Sequence, residues 1–148
     1  MKMLLLGVAM AACPLADASA DPAIDALKAK AEACMTSKAP DVAAKAENVT
    51  DAVGALSWVC GVEIARVDAY DKNARTLADW EGRSSSTQLA GVSLDPVTGE
   101  LRIPPGFKIE WDSSSATVSD LGRVTPRDEL NAFATRAVLA VRKPMKDQ

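Results

Sequence analysis

The stretch NVTDAVGALSWVCGVEIARVDAYDKNARTLADW, residues 48–80, sets the architecture of this chain. Within it Val49, Val53, Leu56, Cys60, Val67, Tyr70, Ala74 and Leu77 recur at steps close to three and four, the spacing that keeps side chains on one helix face. Trp58, Val59 and Ile64 widen the stripe, and only Glu63 interrupts it. The pattern predicts one long core helix from Asn48 to about Trp80. Asn48 caps it by accepting from the backbone N–H of Thr50 or Asp51, and Asp51 adds negative charge at the positive end of the dipole. Gly54 and Gly61 each cost a helix interior roughly 1 kcal/mol relative to alanine. The weak points for a break are therefore Gly61 and the segment Asp71–Asn73. Glu63 reads as a helix-edge carboxylate reaching water or an arginine. The alternative is a buried functional acid, which the cost of an unpaired buried carboxylate disfavours.

Moving toward the start of the chain, Asp21 and Pro22 form a helix start, aspartate as cap and proline at the first helical position, where its missing N–H costs nothing. Ile24, Leu27, Ala31 and Cys34 mark the apolar face of a helix running to about Ser37. Ala39-Pro40-Asp41 is expected to end it, and Val42–Glu47 to be a further turn or a loop. Cys34 on this face and Cys60 on the long seam both point into one helix–helix contact, which predicts a Cys34–Cys60 disulfide. Closing a loop of that size stabilises by about 3–4 kcal/mol in the chain-entropy model. A redox-active pair would instead be expected as C-x-x-C at a helix start.

The pairing agrees with an export address. Lys2 precedes an apolar run from Met3 to Ala12, and Ala18 and Ala20 then stand three and one residues before Asp21. That is the small-residue pattern of signal-peptide cleavage, which would leave residues 21–148 as one small exported domain, periplasmic or secreted. Lipid attachment at Cys13 is the alternative fate of the leader; Pro14 and the short preceding segment weigh against it. Asn48-Val49-Thr50 also spells a glycosylation acceptor, relevant only in a eukaryotic secretory context.

Downstream of Trp80, Glu81-Gly82-Arg83 and the serines Ser84–Ser86 have loop chemistry, placing a loop over residues 81–90. Val92-Ser93-Leu94 and Leu101-Arg102-Ile103 flank Asp95–Glu100, whose proline and glycine suit a hairpin turn. Phe107, Ile109 and Trp111 alternate with Lys108 and Glu110 as a third strand, and Ala116–Val118 adds a short segment. The strand part is thus expected over 91–119. Thr125, Pro126 and Asp128 make a capping-box start for a C-terminal helix over 125–143, with Leu130, Phe133, Ala134, Ala137, Val138 and Val141 on its apolar face and Pro144 as its stop. The three tryptophans, Trp58, Trp80 and Trp111, are each expected to anchor a piece of core.

Several chemistries are disfavoured. The chain has no histidine, so the commonest general base and transition-metal ligand is absent and no Ser-His-Asp arrangement is possible. With both mature cysteines bridged, a zinc or haem site has few ligands left, and no cofactor is expected. Asp68, Asp71 and Asn73 have calcium-loop-like spacing but lack the required glycine and closing glutamate. Gly54, Gly61, Gly82 and Gly91 are isolated, so no phosphate loop is present. The net charge is −3, and the leader carries one lysine and one aspartate, so its removal leaves that excess unchanged. A mildly acidic chain without a basic stripe does not suit nucleic acid. No later stretch has the ~20 continuous apolar residues of a membrane span.

The closing run from Ile109 to Lys143, with Glu110-Trp111, Asp120-Leu121-Gly122 and Val141-Arg142-Lys143, is similar to the end of small NTF2-like exported proteins over about a quarter of the chain. That family would make the tail of strands, whereas Thr125–Arg142 has a helix start and helical period, so no residue role is carried over. The expected fold is α+β: two disulfide-linked N-terminal helices, a small antiparallel sheet of about three strands, and a C-terminal helix. The expected function is a non-catalytic interaction or structural module with a protein partner in the envelope or medium, the seam from Val49 to Leu77 offering a face for a partner helix. A small-ligand carrier or enzyme inhibitor acting through Gly82–Gln88 or Asp95–Glu100 is the first alternative. A carboxylate-dependent hydrolase is the second.

Overall fold

The computed structural model describes residues 21–83, 89–108 and 123–142. It is mostly helical: α1 (Pro22–Lys45), α2 (Val49–Val59), α3 (Gly61–Arg83), a hairpin of β1 (Ser93–Leu94) and β2 (Leu101–Arg102), and α4 (Pro126–Val141). The hairpin is antiparallel, pairing Ser93 with Arg102 and Leu94 with Leu101.

Three helices, not two, precede the hairpin, because the stretch 48–80 breaks where its glycine permits. Cys60 terminates α2 with φ −95° and ψ 18°, and Gly61 begins α3. The Cys60 N–H still donates to the Leu56 carbonyl and the Ile64 N–H to the Cys60 carbonyl, so the two segments remain nearly continuous. The seam also survives the break: Ala52, Leu56 and Cys60 are buried, then Ile64, Val67 and Tyr70. Asn48 caps α2 by accepting from Asp51 N–H at 2.9 Å.

The expected end of α1 near Ser37 is corrected, since the helix continues through Pro40 to Lys45. Proline removes one intrahelical donor and normally kinks a helix. Here Pro40 and Thr36, whose carbonyl loses that donor, both lie on the exposed face, so water can take the lost place, while Ala39 beside them is buried. Residues Glu81–Arg83, expected as loop, instead form the last turn of α3, where Arg83 pairs with Asp79 one turn earlier at 3.2 Å.

Contacts at both ends of each helix pair give the directions. Lys28 meets Glu129 at 2.5 Å, and the Arg142 guanidinium donates to the Ala46 carbonyl at 2.7 Å, so α1 and α4 run parallel. Glu129 keeps the Lys28 ammonium charged above the ordinary lysine range. The Cys34–Cys60 disulfide at one end and the Tyr70–Asp21 hydrogen bond at the other set α3 antiparallel to α1, and α2, nearly continuous with α3, runs the same way. The core is continuous across all four helices: Leu27, Ala31 and Met35 of α1, Leu56 of α2, Ile64 and Val67 of α3, and Leu130, Ala134 and Val138 of α4. The α4 start has the reciprocal capping box, Thr125 and Asp128 each accepting from the other's backbone N–H. The Thr125 N–H, and then its hydroxyl, hold the Asp128 carboxyl below the usual carboxylate range.

Among the described residues the sheet has two strands. Phe107 and Lys108 are not in a strand, and Ile109–Trp111 and Ala116–Val118 lie outside the described residues. Two strands of two residues cannot stand alone. This hairpin is fastened to α3 instead. The Asn73 side-chain amide donates to the Gly99 carbonyl at 2.7 Å, and Gly99, at φ +75°, lies directly on the α3 backbone beside Arg66 and Tyr70. Asp95 closes the turn, accepting from the N–H groups of Val97 at 2.8 Å and Thr98 at 3.1 Å and pairing with Arg102.

Candidate functional site

Cys34 and Cys60 form the expected bridge, with Cα atoms 5.9 Å apart and Cys60 fully buried between α2 and α3. The bridge, with Cys34 half-buried and Cys60 shut off from solvent, staples α1 to the junction of α2 and α3. Asp21, the residue that leader cleavage would leave first, caps α1 by accepting from Ala23 N–H at 3.0 Å; Ala20 lies outside the described residues. Asp21 also accepts from the Tyr70 hydroxyl at 2.5 Å. Burial first, and then this acceptor, push the Tyr70 phenol up to about 12.

The polar residues singled out in the sequence are engaged within the fold. Asp71, the buried acid of α3, is held by Arg123 at 2.8 Å and Arg75 at 3.0 Å. Asp68 pairs with Arg127, and Asn73 holds the hairpin. These three residues fasten α3 to its neighbours, and among the described residues no group of three metal-ligating side chains is present. Glu63 is half-buried at the edge of α3 rather than in the core, because the break at Cys60 passes the seam to Ile64. The seam from Val49 to Leu77, expected to receive a partner helix, is occupied by the chain itself: Leu56, Cys60, Val67 and Tyr70 are buried.

Of the two candidate loops, residues 84–88 lie outside the described residues, and Gly82 belongs to α3. The Asp95–Glu100 turn is rigidly tied and presents Val97, 55 % exposed, at its tip. The Val97 and Thr98 N–H groups, followed by Arg102, hold the Asp95 carboxyl at about 2, well below an ordinary aspartate.

The tryptophans divide. Trp80 is half-buried and meets Phe107 with ring centroids 5.8 Å apart, while Trp111 lies outside the described residues. Trp58, expected in the core, is 86 % exposed. It shares the outer face of α2 with Ala55 and Val59, and Val62 of α3 follows at the next helical step; Val59 is 50 % and Val62 63 % exposed. Residues 55, 58, 59 and 62 follow the i, i+3, i+4, i+7 spacing of one helical stripe, on the side that the core does not use. Beside them a groove of about 460 Å³ runs between α1 and α2, floored by Val42, Ala46, Ala55 and Val59 and rimmed by Lys38, Asp41, Lys45 and Asp51. The helical period carries the signal for this surface. Trp58 lies two residues from both Leu56 and Cys60, about 200° around the helix from each, opposite the seam.

Among the described residues no helix is long and apolar enough to cross a membrane. Comparison with protein-family models, with curated proteins and with solved structures finds no match to this chain.

Proposed function

We propose that this chain is an exported, non-catalytic interaction module that docks through the outer face of α2. The observation that carries the reading is Trp58, a large aromatic 86 % exposed on α2 in line with Val59 and with Val62 at the start of α3, while the opposite face of α2 buries Ala52 and Leu56. Aromatic anchors of this kind dominate binding energy at protein interfaces, and clustered exposed apolar residues mark interaction surfaces. The export half of the reading is supported by the leader pattern before Asp21, by Asp21 acting as the cap of α1, and by the bridged cysteines.

Photocrosslinking tests it. A photoreactive residue at Val62 in the tagged chain, expressed in its source organism, is expected to give one dominant adduct that Trp58→Ser abolishes. The same probe at exposed Lys72 should give none. Equal adduct patterns from the two positions would remove the docking face.

The groove of about 460 Å³ supports a second reading, a carrier of a small amphipathic ligand, since its size falls within the about 300–1,000 Å³ of ligand clefts. An adduct confined to low-mass species, with no protein attached, would favour it.

A further inference from the structure

We propose that the occupant of the α2 face is a second copy of this chain, packed about a twofold axis with Trp58 of each copy entering the groove between α1 and α2 of the other. This rests on the interaction reading and names its partner. A twofold interface needs one patch that carries both a projection and its complement. Here they adjoin: Trp58 projects from the helix face that forms one wall of the groove, and Ala55 and Val59 belong to both stripe and groove.

Charge favours a copy of the same chain. The chain as a whole is acidic, at −3, and two copies meeting at an average surface would repel. The groove rim is instead neutral, with Lys38 and Lys45 balancing Asp41 and Asp51. Neither lysine has an ion pair among the described residues, so both are free to meet carboxylates of a second rim. Lys28 and Arg127, by contrast, are already paired within the chain, with Glu129 and Asp68.

Area sets the strength. A tryptophan buries about 150–250 Å². Two indoles, four valines and the groove walls bring the pair to roughly 1,000 Å², the low end of specific interfaces, so the dimer should be weak and concentration-dependent.

Sedimentation velocity of the mature chain, from micromolar to millimolar concentration, tests this. The wild type is expected to shift from monomer to dimer across that range, and Trp58→Ser to raise the dissociation constant at least about thirtyfold. Ala55→Arg, which blocks the groove at an exposed position, should do the same. Unchanged thermal midpoints would show that both variants are folded. An equimolar mixture of the two variants retains one intact Trp58-into-groove contact and is expected to associate more strongly than either alone. A wild type that stays monomeric throughout would overturn the proposal, as would variants that dimerise like it. If a monomeric chain still gave a Trp58-dependent adduct with a different protein, the interaction reading would stand without the second copy; no adduct at all would remove both.

Discussion

Gly99→Ala should detach the hairpin from α3. At φ +75° an alanine pays about 1–2 kcal/mol for the left-handed backbone. Its Cβ would also fall 2.6 Å from the Arg66 carbonyl oxygen and the Tyr70 nitrogen and 3.0 Å from the Tyr70 Cα. Favourable contacts lie at about 3.5–4.0 Å, so the turn must lift by roughly 1 Å, and helix backbone cannot yield as a side-chain end would. Lifting breaks the 2.7 Å bond from Asn73 to the Gly99 carbonyl, costing about 1 kcal/mol more. The expected loss is therefore about 2–3 kcal/mol by urea denaturation followed by circular dichroism. Asn73→Ala alone should cost about 1 kcal/mol. The double variant should cost no more than Gly99→Ala, because the amide has no partner once the turn has lifted. A Gly99→Ala protein within about 0.5 kcal/mol of wild type, or strict additivity with Asn73→Ala, would refute the clamp.

Other expectations follow from the same geometry. Tyr70 is the only tyrosine, and folded it keeps its proton to about 12, whereas the unfolded phenol releases it at about 10. The unfolded chain then binds fewer protons between about pH 10 and 12, so the Tyr70 contribution is complete below that window and lost through it. Phenolate absorbance should report the late titration, and Tyr70→Phe should be the less pH-sensitive protein there; coincident alkaline curves would contradict the assignment. Pro40→Ala should stabilise by about 1–3 kcal/mol, since it restores a helix donor and removes a ring clash inside α1, less the entropy it returns to the unfolded chain. A lower midpoint would mean that α1 does not run through residue 40. Replacing Cys34 and Cys60 by alanine, which opens a link across 26 positions, should lower stability by about 3–4 kcal/mol; a shift under about 1 kcal/mol would show that the bridge is not a staple.

The parts of this fold that short-range rules govern were readable from the residues. The Asn48 cap, the Thr125-Pro126-Asp128 start of α4 and the facing of Cys34 toward Cys60 each depend on a side chain's own helical phase or on the N–H groups of its first turn. The parts set by solvent exposure or by distant partners were not. Pro40 reads as a stop until Thr36 and Pro40 are seen on the wet side of α1. The alternation from Phe107 suggests a strand; Phe107 itself is outside one and meets Trp80, 27 positions away in sequence, while Ile109 and Trp111 lie outside the described residues. Nothing local to Gly99 indicates that its turn rests on α3. Trp58 differs for another reason: its hydrophobicity alone suggests the core, whereas its offset of two residues from Leu56 and Cys60 sets it on the opposite face of α2.

The claim that this face of α2 is left free for a docking partner is tested most directly by the fluorescence of Trp58 alone, in a Trp80→Phe/Trp111→Phe chain. In dilute solution the indole should be fully open to acrylamide quenching. Raising the concentration, or adding its captured partner, should protect it and move its emission to shorter wavelength. An indole already shielded from quencher in the dilute monomer would mean that the chain covers this face itself, and the docking account would fail.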